Sequence, residues 1–350
     1  MTIRSRALPG GGAHWQADIR VRLPDGRRHR ERVKAPGRSR AAALRWARAR
    51  EAHILRHGVE AAHGARAEIP TLTRFAERLR RDYIIADRLK PATRAGWDEI
   101  LRLYLLPQLG RLRLDEIGAV EVQQLKQLPL AASTINTVLA KLKALLRKAV
   151  EWGVIETLPP VKPLPSRARV PEFYDFDAYA RLIDVAAAAP PWTLVVILLG
   201  GDAGLRVGEM LALRWRDIDL ERRSLTVVEN EWRGHTGDPK GGATRTIPMT
   251  RGLADALARL DRAGPRVLDV AGPMYARKID RALYRAQQRA NLERRGPHVL
   301  RHTFCSHLAM KGAPARTIQT LAGHANSATT DRYMHLAPRT LNSAIELLDR

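Results

Sequence analysis

His298-Val299-Leu300-Arg301-His302 is followed by Leu321-Ala322-Gly323-His324 and then, nine residues on, by Tyr333. Upstream stand Gly204-Leu205-Arg206-Val207-Gly208-Glu209 and Pro239-Lys240-Gly241-Gly242. Two arginines, two histidines, a lysine and a tyrosine are the side chains needed to break a phosphodiester without a metal. Each guanidinium offers a planar fork that matches phosphate oxygens. A lysine can protonate a leaving oxygen, and a phenol can attack.

The residues around this set predict where each side chain sits. Pro297 fits the first turn of a helix, so His298 and Arg301, three apart, share one face. His302 points elsewhere, as a core or supporting residue, and Cys305 among Phe304, Leu308 and Ala309 packs rather than reacts. Arg206 opens a helix whose Glu209 is placed to pair with it or orient it; the bland alternative is an exposed surface ion pair. Lys240 lies in a glycine-flanked loop between two strands, from which it can reach far. His324 follows the helix stop at Gly323, where the helix dipole favours a protonated imidazole. Asn326 or Ser327 caps the next helix, which carries Tyr333 and closes at Pro338.

Lys and Arg total 60 against 36 Asp and Glu, a net charge of +24, which predicts a polyanionic partner. The charge is uneven: the first 60 residues hold fifteen Lys or Arg against five acids. Nucleic acid is favoured over a membrane, because no apolar run approaches the ~18 residues a span requires, and Trp192 to Leu199 is far too short. No secretory apolar region follows Met1, and the single cysteine, Cys305, fits a reducing cytoplasm. Neither zinc-ligand spacing nor a Gly-x-x-x-x-Gly-Lys loop is present, so the chemistry is expected to need no metal and no cofactor.

Three units are predicted. Residues 1–60 read as a small basic sheet-plus-helix unit. Trp15, Ala17, Ile19, Val21 and Leu23 alternate up to the Pro24-Asp25-Gly26 turn, Arg27 to Val33 return, and a helix runs from Arg40 to Arg56 with Gly58 as its stop. Residues 68–158 read as a helical unit. Its helices start near Thr71, capped by Thr71 or Thr73, and cover Thr93 to Leu105, closed by Pro107 and Gly110, then Ile117 to Leu128 and Ser133 to Trp152. Lys141, Lys143, Arg147 and Lys148 on the last of these face phosphates or solvent. Pro159, Pro160, Pro163 and Pro165 mark a stiff linker. Residues 170–350 read as a mostly helical third unit, with strands from Ser224 to Glu231 and Arg245 to Met249. It ends in an apolar stripe of Leu341, Ile345 and Leu348, which docks on its own chain or on a neighbouring protomer.

At these residues the sequence resembles the tyrosine recombinase (phage integrase) family. The resemblance is carried by Arg206-Val207-Gly208-Glu209, Lys240, His298-Val299-Leu300-Arg301-His302, Ala322-Gly323-His324 and Tyr333. The flanks Leu211 to Asp219 and Arg245-Thr246-Ile247-Pro248 match as well. Ala322 stands where the family often has Leu or Gly, with no consequence for phosphate contacts. The resemblance implies a mainly α fold with small β elements: an arm-binding unit, a helical core-DNA-binding domain and a mixed, mostly α catalytic domain. It implies that Tyr333 attacks a DNA phosphate to give a 3′-phosphotyrosine, with Arg206 and Arg301 neutralising the phosphoryl oxygens. His298 takes the phenolic proton, His324 donates a hydrogen bond, Lys240 protonates the 5′ oxygen, and Glu209 and His302 support them. It also implies a homo-tetramer on paired sites, with accessory DNA-bending proteins as further partners. A type IB topoisomerase uses the same attacking group, and a non-catalytic DNA-binding accessory protein is the alternative from another class.

Overall fold

The computed structural model describes residues 2–7, 13–23, 26–35, 39–57, 69–165, 171–239, 244–269 and 274–337. Lys240, the stop at Gly58 and the stripe from Leu341 to Leu348 lie outside the described residues. The chain divides into two compact units, Met1–Ser166 and Arg167–Arg350.

The first unit opens with an antiparallel sheet in the order β1 (Thr2–Ala7), β2 (Ala13–Arg22), β3 (Arg28–Ala35), followed by helix α1 (Arg40–His57). The β2–β3 hairpin is the one the alternation predicts; β1 is an addition that the short Thr2–Ala7 segment does not announce. Strand alternation divides the faces. Ala17, Ile19 and Val21 bury against Ala43, Ala47 and Ile54 of α1. Glu31, on the same face, is 6% exposed and holds Arg50 of α1 at 2.8 Å. The opposite face carries Arg4, Arg20, Arg22, Arg28, Arg30, Arg32 and Lys34 around one carboxylate, Asp18.

The helical part comprises α2 (Leu72–Leu79), α3 (Pro91–Ile100), α4 (Leu106–Leu109), α5 (Ala119–Lys126) and α6 (Ala132–Glu151). Thr71 caps α2 by accepting from the Arg74 N–H, whereas the Thr73 hydroxyl donates to the Gly110 carbonyl. On α6, Ile135, Val138, Leu139, Leu142, Leu145, Leu146 and Ala149 bury at helical spacing. Each buried Ile, Val or Leu side chain among them contributes ~1.5–3 kcal/mol. Of the two expected stops, Gly110 follows the last helical residue, Leu109, but Pro107 does not close the helix. It sits inside α4, and the turn before it, Leu101–Leu105, widens to a π-helix. A proline gives no N–H to the carbonyl four residues back and crowds it, so the ladder shifts instead of ending. The proline-rich segment after α6 is also more than a spacer. Val161 is 6% exposed, and the Asn136 side chain both donates to the Leu164 carbonyl and accepts from its N–H.

The second unit is built on α8 (Pro191–Gly201), between α7 (Phe176–Ala187) and α12 (His298–Met310). Val195 to Leu199 are at most 4% exposed, which explains an apolar run too short for a membrane: the helix is covered on all sides. Among the described residues no helix is long and apolar enough to cross a membrane. Next come α9 (Val207–Ala212), β4 (Ile218–Asp219), β5 (Ser224–Val227), β6 (Asn230–Trp232), β7 (His235–Gly237) and β8 (Arg245–Pro248). Strands β4, β5 and β8 form one antiparallel sheet, and β6–β7 a separate hairpin. The predicted strand from Ser224 to Glu231 is therefore two strands in two sheets. Helices α10 (Arg251–Ala258), α11 (Ala276–Arg289), α13 (Ala315–Ala322) and α14 (Ser327–Met334) complete the unit. The fold is mainly α with small β elements, as the periodicity predicts.

Candidate active site

Four helix ends and one strand build the site. Arg206 stands just before α9, in extended conformation (φ −78°, ψ 154°), and its backbone N–H donates to Glu209 Oε2 at 3.0 Å. Its Nη1 donates to Glu209 Oε1 at 2.8 Å, and its Nη2 to the Gly323 carbonyl at 3.1 Å, so α9 is tied to the end of α13. The pair is not a surface one, because Glu209 is only 1% exposed. A second cation shares the carboxylate. Arg245 of β8 donates through Nη1 and Nη2 at 3.1 and 2.7 Å and through Nε to the Leu321 carbonyl at 2.9 Å. Burial pushes the Glu209 carboxyl up, but Arg245 and then Arg206 outweigh it, and the net shift is downward.

Arg245 entered the sequence reading only as a flank. A stronger signal was present: Arg245 and the buried Ile247 are two residues apart on one strand and so face the same side. An arginine on a buried strand face requires a carboxylate or carbonyls.

Arg301 runs inward from α12 and is 1% exposed. Its Nη1 donates to the Gly204 carbonyl at 2.6 Å, while the buried Nη2 finds no acceptor among the described residues. Burial, then the charge on Arg206, lowers its pKa to about 10, so it remains a cation at neutral pH. Gly204 has φ +67°, and a Cβ there would lie 2.5 Å from the Phe304 ring. Glycine thus lets the carbonyl approach Arg301 under that ring.

Gly323 ends α13 in the left-handed conformation, φ 65°, as the sequence predicts. His324 follows, its Nδ1 2.9 Å from the Thr330 hydroxyl. It is not the protonated imidazole expected at a helix C-terminus. Burial, then Arg301 and Arg206, lowers its pKa to about 3. Two nearby full charges outweigh the roughly half charge of a helix end.

Asn326 caps α14, and Tyr333 on this helix is 2% exposed, within a cluster of Phe304, Cys305, Ile318 and Ala322. Its ring lies parallel to that of His324, 3° apart in plane and 6.3 Å between centroids. Its hydroxyl is 2.5 Å from Nδ1 of His302. His302 therefore meets the tyrosine hydroxyl. It bridges the buried phenol to the exposed first turn, where the His298 ring meets its own edge-on at 4.6 Å. Burial pushes the Tyr333 phenol up, and burial with Arg301 and Arg332 pushes His302 down. Cys305 is buried and free, as the packing reading has it, and burial raises its thiol to about 11.

The fold and this set of side chains define a helical unit that brings a tyrosine, two histidines and an incompletely satisfied arginine pair to one point. Residues 172–339, just under half of the chain, match the phage integrase family. Tyrosine recombinase XerC of Xanthomonas campestris pv. campestris (strain B100) is 32% identical over 178 residues, 48% of this chain and 52% of that protein. The chain thus spans about half the length of the first curated relatives it matches. Among solved structures, the Tn1549 transposon integrase in complex with a circular intermediate DNA covers 80% of this chain and 99% of its own, at 23% identity and a TM-score of 0.65. A lambda integrase tetramer bound to a Holliday junction covers 92% and 96%, at 18% identity and a TM-score of 0.61. These two show a shared fold.

Proposed function

We propose that the chain is a site-specific tyrosine recombinase that cleaves and rejoins double-stranded DNA through a 3′-phosphotyrosine, integrating or excising a mobile element. One observation carries the reading: among the described residues, a buried, charged Arg301 has a donor with no acceptor, in a cluster whose arginines outnumber its one carboxylate. Buried donors are nearly always satisfied, so the cluster calls for an anion. A backbone phosphate beside the Tyr333 hydroxyl meets that need, and the surplus positive charge stabilises the pentacovalent transition state. In this reading Tyr333 is the nucleophile, Arg206 and Arg301 hold the phosphoryl oxygens, and His298 and His324 donate to them. Lys240 protonates the departing 5′ oxygen, and Glu209 holds Arg206 in place.

The three predicted parts divide the work: residues 1–60 bind arm-type DNA through the open basic sheet face, 68–158 bind the core site, and 170–350 carry the chemistry. The relatives bound to DNA, one of them a tetramer on a Holliday junction, support a homo-tetramer on paired sites; accessory bending proteins are further partners in this proposal. A protein of this kind acts in the cytoplasm, on the nucleoid. A suicide substrate nicked near the cleavage point tests the reading: the wild-type chain should become covalently attached to it and Tyr333→Phe should not. Attachment by Tyr333→Phe would refute it.

A further inference from the structure

We infer that His302, not His298, is the proton acceptor for Tyr333 in the cleavage step. The inference rests on the reading of Tyr333 as nucleophile and adds a catalytic residue to it. The structure pairs the phenolic hydroxyl with Nδ1 of His302 at 2.5 Å, whereas His298 sits one turn back, exposed, with its ring against His302. A candidate base must first be within hydrogen-bonding reach of the proton it removes, and His302 is.

The surroundings fix the direction of transfer. The groups facing His302 are Arg301, His298 and Cys305 from its own helix, and Arg332 and Tyr333 from α14. The Cys305 thiol, itself within hydrogen-bonding reach of the phenol, keeps its proton and cannot serve as a base at neutral pH. Burial, and then the charges on Arg301 and Arg332, disfavour a second cation, so His302 rests neutral, with an imidazole lone pair for the phenolic proton. A phosphate bound by the arginines adds the negative charge that makes protonated His302 tolerable. The base thus becomes effective only when substrate is in place.

The step balances. The Tyr333 oxygen bonds to phosphorus as the bond from phosphorus to the 5′ oxygen breaks. The phenolic proton moves to His302 Nδ1, and the 5′ oxygen takes its proton from a separate acid, assigned above to Lys240. In religation a 5′-hydroxyl attacks, the phosphotyrosine bond breaks, and His302 returns the proton to the phenolic oxygen.

The test is single-turnover adduct formation by the full chain on the nicked substrate. His302→Asn keeps an acceptor near the Nδ1 position but cannot take up a proton at neutral pH. It should slow attachment by on the order of 10²–10⁴ and abolish the acid limb that His302 imposes on the wild-type pH profile. Replacing Tyr333 with 3,5-difluorotyrosine, whose phenol is more acidic, should restore at least about tenfold of the lost rate in the variant and little in wild type. A sulfur leaving group at the 5′ bridging position should rescue a Lys240 variant and leave His302→Asn slow. Attachment by His302→Asn within about threefold of wild type, or a loss that fluorination does not repair, would overturn the inference. Should that variant fail to fold, difluorotyrosine in the wild-type chain carries the test alone: flattening of the acid limb supports the base, and an unchanged limb rejects it. Absence of any adduct in wild type would instead reject the reading of Tyr333 as nucleophile.

Discussion

Replacing Glu209 by Gln removes one negative charge from a site where two guanidinium groups converge on it. Glu209 is 1% exposed and the Arg245 side chain 8%, so neither Arg245 nor Glu209 has water to fall back on. Breaking a buried pair by neutralising one partner costs about 3–5 kcal/mol, because the remaining charge stays buried. For a unit of this size, each kcal/mol lowers Tm by roughly 2–4 °C, so Glu209→Gln should melt roughly 6–20 °C below wild type. The effect has a defined pH dependence. The folded carboxyl titrates below its ordinary value of 4.5, so its stabilisation is complete above that pH and is lost as pH falls through the lower folded value. The gap between variant and wild type should therefore be widest near neutrality and close under acid conditions. Thermal melts followed by circular dichroism from pH 3 to 8 would measure it. A neutral-pH difference under about 2 °C, or a gap that widens in acid, would refute the idea that this carboxylate ties β8, α9 and the end of α13 together.

Other outcomes follow from the same geometry. Arg301→Ala should slow covalent attachment by ~10²–10³, the loss seen when one oxyanion donor is removed, while leaving low-salt DNA affinity in gel shifts largely intact. Gly204→Ala must place a Cβ at φ +67° and 2.5 Å from Phe304; left-handed strain of ~1–2 kcal/mol and overpacking of ~1–3 kcal/mol should both appear in urea unfolding. Asp18 accepts from Arg30 at 2.9 and 2.5 Å and from Arg32 at 3.2 Å, so Asp18→Asn should release these arginines. It should raise affinity for random DNA and steepen its salt dependence in anisotropy titrations. The His324 imidazole, held near 3 in the folded chain against 6.5 ordinarily, should make the wild type lose stability as pH falls from about 6.5 towards 3. His324→Asn should flatten that slope in a urea series.

Much of the fold was legible because long periodic segments speak for themselves. The buried positions of α6 recur at spacings of three and four, and the β2–β3 alternation puts Ala17, Ile19 and Val21 on one face. The ends and irregularities were not. Pro107 reads as a stop in any helical pattern, and only the structure shows the ladder widening before it. In the site, helix starts and stops placed Arg206, Arg301, His324 and Tyr333, since Gly323 and Asn326 are local signals. Orientation was harder to read. His302 and His298 are four apart, nearly one turn, and spacing alone does not say which of them meets a side chain on another helix. The protonation state of His324 was misread because the helix dipole is visible in sequence, whereas Arg206, more than a hundred residues away, is not.

The charges of the site explain why it holds together yet is ready for a ligand. Three guanidinium groups converge, and one carboxylate answers them. Glu209 is shared by Arg206 and Arg245 and has no capacity left for Arg301. Among the described residues, Arg301 donates to the Gly204 carbonyl, whose dipole holds the side chain in place without cancelling its charge. The depressed pKa values of Arg301 and His324 both record, after burial, the repulsion from neighbouring guanidinium charge. Each unit of depression is about 1.4 kcal/mol of interaction that disfavours the protonated form. An anion bound between the arginines relieves part of that repulsion at once, so binding energy comes from a tension the folded chain already carries. It also reverses the bias on His302, which rests neutral beside Arg301 and Arg332 and gains proton affinity when negative charge arrives. One event, phosphate entry, therefore satisfies the unpaired Arg301 donor and prepares the imidazole that touches the Tyr333 hydroxyl.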